Sequence, residues 1–125
     1  MNLNESVDKA KDNEFNKKLN IVKEYNENKD ELVIKVEGRL DTNAAVAMED
    51  EIREDINSSL KKLTYDFGNL KYIASSGIRV LIASKKLMTQ FGGELSIINA
   101  YGDVKEVFEM TGLIEALNVK VKNDK

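Results

Sequence analysis

The segment from Asp66 to Arg79 constrains the fold of this chain most strongly, and it reads DFGNLKYIASSGIR. Its apolar residues predict the end of a strand, followed by a short polar loop and a second apolar pair. Two serines and a glycine then enter the first turn of an amphipathic helix. A hydroxyl group there lies at the positive end of a helix dipole, where added negative charge is tolerated. This arrangement favours a serine that is phosphorylated or faces a partner, and so a switchable binding module and not an enzyme.

Strand and helix patterns alternate along the rest of the chain. Apolar alternation predicts a strand from Leu19 to about Tyr25 and a second strand that ends at Gly38, and the turn cluster between them predicts a hairpin. Helical spacing then predicts three helices, which contain in turn Val46, Glu49, Ile52, Arg53, Ile56 and Leu60; Ile78, Leu81, Ile82, Lys85 and Met88; and Val104, Val107, Phe108 and Met110. Between these helices, apolar patterns predict one strand with Leu63, Tyr65 and Phe67 and another with Leu95, Ile97 and Ile98. After the last helix, Leu117, Val119 and Val121 predict an edge strand. Helical crossovers favour parallel pairing after the hairpin. We therefore predict an α/β domain, in which a mixed β-sheet with helices packed on it begins with an N-terminal hairpin and continues through βαβ-type crossovers.

The first 18 residues differ in composition from the rest of the chain. They are rich in Asn, Lys, Asp and Glu, and Leu3, Val7 and Ala10 form only a thin apolar face. Such a segment buries too little apolar surface to offset the entropy of ordering it. We predict a mobile N-terminal arm over residues 1–18 and one folded domain over residues 19–125.

Large apolar side chains at helical spacing predict core positions. These are Met88, Phe91, Phe108 and Met110. Tyr72 and Ile73 precede the two serines, and we expect their burial to hold the loop in place. We expect Gly77 to permit close packing, since a larger side chain would crowd the loop.

Composition excludes several classes of protein. The chain has 125 residues, of which 42% are hydrophobic, and its net charge is −3 with both signs interleaved. This length suits one packed core, and the charge pattern gives no support to direct nucleic-acid binding. The chain has no cysteine and no histidine, which removes disulfides, the usual catalytic base and the commonest metal ligand. We expect no cofactor and no metal, and the lack of a membrane-length apolar run predicts a cytoplasmic domain.

Three segments together indicate a family. The first runs from Val36 to Asp41 and contains the pattern G-x-L-D, the second is the serine segment from Asp66 to Arg79, and the third joins residues 92–95 to residues 107–113. These segments resemble the STAS domain family, whose members include bacterial anti-sigma-factor antagonists and the cytoplasmic tails of sulfate transporters. The first segment is similar to the ending of the family's second strand, and the third is similar to its closing helix. The resemblance extends from about Leu19 to about Val121 and implies a STAS-like fold.

The resemblance implies a free-standing anti-sigma-factor antagonist that takes part in partner switching. In such proteins the first serine of an S-[ST]-G motif is phosphorylated by a serine kinase that is also an anti-sigma factor, and the matching residue is Ser75. The unphosphorylated form binds this partner and frees a sigma factor, phosphorylation ends the binding, and a PP2C-type phosphatase restores it. The resemblance also implies a partner-binding surface that comprises Asp41, Thr42, Asn43, Ser76, Gly77, Ile78 and Arg79.

The residues leave other interpretations open. Ser75 and Ser76 can simply cap a helix, as can one of residues 41–43, and Arg79 can be an ordinary solvated side chain. Ala74 occupies a position where many antagonists have aspartate. This departure favours the alternative of a STAS interaction module that binds a small ligand or another regulator without a phosphorylation cycle. In either case we expect a monomer or a weak dimer.

Overall fold

A computed structural model describes residues 19–122, which form a six-stranded mixed sheet and three α-helices. The strands are β1 (Leu19–Tyr25), β2 (Glu31–Leu40), β3 (Lys62–Asp66), β4 (Leu70–Ile73), β5 (Glu94–Ala100) and β6 (Val119–Val121). The helices are α1 (Thr42–Ile52), α2 (Ser75–Gln90) and α3 (Gly102–Met110). None of these helices is both long enough and apolar enough to span a bilayer. The predicted arm lies outside the described residues.

The strand order brings several strand ends to one edge of the sheet. The order is β1-β2-β3-β5-β6, and β4 pairs with β2 beyond the end of β3. β1 and β2 form an antiparallel hairpin, whereas the other pairs are parallel. The predicted α/β class, the hairpin, the parallel crossovers and the edge position of the last strand are therefore confirmed. Because the strands are parallel, the carboxyl ends of β2, β4, β5 and β6 share one edge.

The helices cover one face of the sheet and enclose the core. Alternate side chains of β2 are fully buried, while those between them are half-buried, as expected for a sheet covered on one face. Tyr65 of β3 forms a hydrogen bond with Ser84 of α2 at 2.8 Å, and the ring of Phe67 stacks on Phe108 of α3 at 6.3 Å. Complete burial raises the pKa of the Tyr65 phenol, because its charged form would lose its hydration; the bond to Ser84 opposes this effect.

The first helix is shorter than the sequence predicts. Its apolar pattern continues to Leu60, but α1 ends at Ile52. The Asn57 side chain donates to the Glu54 carbonyl oxygen at 3.0 Å and accepts from the Ser59 backbone N–H at 2.9 Å. Such local bonds compete with helical ones. Leu60 is nevertheless buried, so a series of turns completes the apolar side that the pattern predicts.

The short polar loop predicted after Asp66 is present at residues 67–69, but the strand that follows it was not predicted. Residues of this segment form the short strand β4, and β2 continues past the predicted end at Gly38 to receive it. The pairing register shifts between Gly38 and Arg39, so that Lys71 has no partner on β2. The sequence contains only four residues for this strand, too few for an alternating pattern to be recognised.

Several apolar side chains that were predicted to be buried are exposed. The exposed fractions are 38% for Tyr72, 39% for Phe91, 59% for Val46 and 83% for Met110. Met88 and Phe108 are buried as predicted. In α1 the neighbouring Ala45 faces the core in place of Val46, because a small side chain permits close packing of the helix. Phe91 and Met110 lie at the ends of their helices, where fewer neighbours cover them.

Candidate functional site

Two helices begin side by side at the ends of β2 and β4. Leu40 pairs with Ile73, and the Ala74 backbone N–H donates to the Leu40 carbonyl oxygen at 2.9 Å. Both strands turn almost directly into helices, since α1 begins at Thr42 and α2 at Ser75. Residues 41–43 therefore lie beside the first turn of α2. The structure brings together the two segments that the resemblance assigned to one surface.

Asp41 caps the first of these helices. Its backbone is extended, and its carboxylate accepts a hydrogen bond from the Ala44 backbone N–H at 2.9 Å. The predicted N-cap is thereby confirmed for Asp41. Thr42 and Asn43 occupy the first turn and are exposed, so their side chains are accessible to a partner.

The second helix begins without a side-chain cap. Ala74 is the N-cap residue, and its methyl group cannot accept a hydrogen bond. The Ala74 carbonyl oxygen accepts from the N–H groups of Gly77 at 2.9 Å and Ile78 at 3.1 Å. The earlier N–H groups of a helix have no acceptor within it, which suits them to an anion. The interpretation of Ser75 and Ser76 as caps was wrong, because both belong to the helix itself.

The two serines differ in accessibility. Ser75 is exposed, whereas the Ser76 hydroxyl oxygen is buried and has no hydrogen-bond partner among the described residues. A kinase must bring its substrate hydroxyl into line with the transferred phosphoryl group. Of the two serines, Ser75 is therefore the more accessible in the folded domain.

The next three residues of α2 have different surroundings. Gly77 is buried, and a Cβ atom added to it would lie 2.9 Å from Leu40 Cγ and 3.0 Å from Ile73 Cγ1. Ile78 is also buried. These two residues hold the helix against the strand ends, and little of the Ile78 side chain is exposed. Arg79 is exposed and lies on the same helix face as Ser75, one turn further along.

Hydrogen bonds of Asp66 connect the end of β3 to the turn before β4 and to β5. Asp66 Oδ1 accepts from the Gly68 backbone N–H at 2.9 Å and from Asn99 Nδ2 at 3.0 Å. Asn99 has a φ of 65°, a left-handed conformation that asparagine tolerates. Asn99 could not be identified from the sequence, because a single asparagine within a strand pattern carries no sign of this distant contact.

The described residues offer little for a metal or a cofactor. Within residues 19–122, no group of three acidic side chains is placed to hold a metal ion.

An apolar groove of about 140 Å³ lies between α1 and α2, and Ile52, Ile56, Val80 and Leu87 are among the residues that line it. Ser84 also lines it, but its hydroxyl already bonds to Tyr65 and to the Val80 carbonyl oxygen.

Comparison with known proteins identifies the family. The sequence model of the STAS domain family matches residues 21–124, which make up most of the chain. The chain therefore belongs to the STAS domain family.

Relatives and solved structures agree with this assignment. BtrV of Bordetella bronchiseptica, which its name assigns to the anti-sigma factor antagonists, is 30% identical over 88 residues, covering 70% of this chain and 76% of BtrV. The fold is similar to that of an anti-sigma factor antagonist from Mycobacterium paratuberculosis, with a TM-score of 0.72, 20% identity and coverage of 82% and 85% of the two chains. The phosphorylated form of the Bacillus cell fate determinant SpoIIAA gives a TM-score of 0.66 at 19% identity, covering 85% and 93%.

Proposed function

We propose that this chain is an anti-sigma-factor antagonist whose partner binding is switched by phosphorylation of Ser75. In its unphosphorylated form it binds a serine kinase that is also an anti-sigma factor, and a sigma factor is thereby released in the cytoplasm. Phosphorylation ends the binding, and a PP2C-type phosphatase restores it. The observation that carries this proposal is the exposed residue Ser75 in the first turn of a helix without a side-chain cap. The name of BtrV and the phosphorylated state of SpoIIAA support it.

The start of α2 can accept a phosphate without unfolding. A phosphoserine adds roughly −1.5 to −2 charges and three acceptor oxygens. The unpartnered N–H groups of the first turn favour such an anion, and Arg79 provides a cation one turn away on the same face. The effect of phosphorylation should therefore fall on the interface, where the new charge would have to be desolvated.

The alanine before the acceptor is compatible with this switch. An aspartate at position 74 would place a carboxylate at the N-cap, where its oxygen would bond to the first N–H groups of the helix. With Ala74 no side chain occupies these groups. The first N–H groups of α2 therefore stay available to a phosphate on Ser75. Alanine in place of aspartate changes the local electrostatics, but it leaves the Ser75 acceptor in place.

A phosphorylation assay with site mapping tests the proposal. The full chain is incubated with ATP and each candidate anti-sigma kinase from the same genome, and its intact mass is then measured. We expect one kinase to add a single phosphate, which peptide mapping places on Ser75. The Ser75→Ala variant should gain no phosphate, and the Ser76→Ala variant should be labelled like the wild type. Labelling of Ser76 alone, or of no site by any such kinase, would contradict the proposal.

The groove between α1 and α2 favours a second candidate function, namely a module that binds a small ligand. Its volume of about 140 Å³ is close to that of an apolar cavity that admits benzene, about 150 Å³. Native mass spectrometry of the chain purified from its own cells tests this candidate. Ala83 also lines the groove, and Ala83→Phe should fill it. A bound small molecule that is lost in this variant would support the candidate, and a ligand-free mass would exclude it.

A further inference from the structure

Cationic and tyrosine side chains alternate along the edge where the parallel strands end. We name this row the cation–tyrosine belt, and it comprises Arg39, Tyr72, Lys71, Tyr101 and Lys122. Arg39 is the penultimate residue of β2, Lys71 and Tyr72 belong to β4, and Tyr101 and Lys122 directly follow β5 and β6. The fold therefore brings residues of four strand ends, which are distant in sequence, to one edge of the sheet.

Direct contacts join the members of the belt into two groups, Arg39 with Tyr72 and Lys71 with Tyr101 and Lys122. The Arg39 guanidinium carbon lies 4.3 Å from the centre of the Tyr72 ring. Lys71 Nζ donates to the Tyr101 hydroxyl at 3.1 Å, and Lys122 Nζ lies 5.2 Å from the centre of the same ring. Contacts of this kind restrict three long side chains that would otherwise be free to rotate. The belt is thus partly ordered before any partner arrives.

Within residues 19–122, no carboxylate forms an ion pair with a belt cation. The ion pairs in this part of the chain use Lys23, Lys35 and Arg53. All three belt cations are exposed. This positive row is unusual in a chain whose net charge is −3. Charge complementarity therefore indicates an anionic partner.

We propose that the cation–tyrosine belt binds an extended acidic segment of a partner protein. β2 and β6 are three strand positions apart in the sheet order, and steps of about 4.8 Å make the belt about 14 Å wide. An extended peptide rises about 3.3 Å per residue, so three acidic side chains at alternate positions span about 13 Å. The carboxyl ends of parallel strands are also where ligands generally bind in open α/β sheets.

One observation favours a peptide over a single-stranded nucleic acid. A cation already lies over each belt ring, Arg39 over Tyr72 and Lys122 over Tyr101, which leaves less aromatic surface for stacking bases. This binding does not depend on the phosphorylation of Ser75, so the two proposals fail independently.

Fluorescence anisotropy with a labelled peptide tests the inference. The probe is an eight-residue peptide of alternating glutamate and serine, and it is compared with a glutamine–serine peptide and with an eight-nucleotide oligothymidylate. We expect the full chain to bind the glutamate peptide, and the triple variant R39Q/K71Q/K122Q to bind it at least about tenfold more weakly. The matched control K61Q/K62Q/K86Q removes the same charge from exposed lysines outside the belt and should bind like the wild type.

Three results would overturn the inference. They are no binding of the glutamate peptide by the wild type, an equal loss in the control variant, and tighter binding of the oligothymidylate than of the peptide. Thermal melting establishes that both triple variants are folded. If the belt variant does not fold, the single change Lys122→Glu at the exposed end of β6 replaces it, with a weaker affinity for the glutamate peptide again expected.

Discussion

At the first turn of α2, one step along the helix separates an accessible hydroxyl from an inaccessible one. Successive residues of an α-helix are rotated by about 100°. Ser75 therefore faces solvent, while the Ser76 hydroxyl faces the domain and is buried. The sequence placed both serines at the start of a helix but could not distinguish them by accessibility. That distinction depends on where β2 and β4 hold the helix.

Asp41 offers a test that separates capping from recognition. Asn caps a helix about as well as Asp, so Asp41→Asn should leave the free energy of unfolding nearly unchanged, whereas Asp41→Ala should lose ~0.5–2 kcal/mol. If the kinase recognises the charge, Asp41→Asn should bind it more weakly than the wild type does. Urea unfolding and calorimetric titration measure the two effects. Equal kinase binding by the wild type and Asp41→Asn, at low and moderate salt, would leave Asp41 with a capping role only.

Among the elements, α2 depends on close contact with two strand ends. A Cβ atom on residue 77 would lie within 3.0 Å of side-chain carbons of Leu40 and Ile73. Gly77→Ala should therefore destabilise the domain by ~1–3 kcal/mol, although alanine is the better helix former by about 1 kcal/mol. Urea unfolding measures the change, and Ser75→Ala on the exposed side of the same turn is the control. A Gly77→Ala variant as stable as the wild type would show that the strand ends yield to the added methyl group.

The elements also show how far the sequence alone predicts the fold. Long alternating or helical patterns identified the hairpin, three helices and the parallel crossovers, because each pattern records burial on one face. The strand β4 was missed because its four residues include two exposed ones, Lys71 and Tyr72, beside a register shift. The pairs Tyr65–Ser84 and Asp66–Asn99 were also missed, since each joins residues that are distant in sequence. The belt was not foreseen for the same reason.

At the scale of the whole molecule, two tyrosines with raised pKa values link stability to alkaline pH. Burial raises the pKa of Tyr65, and burial together with the bond to Asp55 raises that of Tyr25 to about 12. Both pKa values lie above the ordinary value of about 10, so the folded state favours the neutral phenols more than the unfolded state does. The contribution of the two tyrosines to the free energy of unfolding is therefore complete below about pH 10, and it is lost as the pH rises through the folded-state pKa values. We expect the free energy of unfolding to fall above pH 10, and to fall less steeply in Tyr65→Phe. Urea unfolding at pH 7 and at several values above 10 tests this, and equal slopes would contradict it.

The domain is expected to fold without the predicted N-terminal arm. A truncated chain that starts at Leu19 retains every strand and helix described here. Because the first 18 residues contain few apolar side chains, the truncated chain should melt within a few degrees of the full chain. Differential scanning calorimetry provides the comparison. A large fall in melting temperature would show that the arm packs on the domain.

The affinity of the chain for its kinase, measured in both phosphorylation states, tests the proposed switch most directly. Calorimetric titration compares the unphosphorylated chain, the chain phosphorylated on Ser75, and the Ser75→Asp variant. We predict that phosphorylation weakens binding at least about tenfold, equivalent to about 1.4 kcal/mol, and that Ser75→Asp weakens it in the same direction. The folded state should be retained, because a negative charge at a helix N-terminus stabilises by ~0.3–1 kcal/mol. Equal affinities of the phosphorylated and unphosphorylated chains would contradict the account.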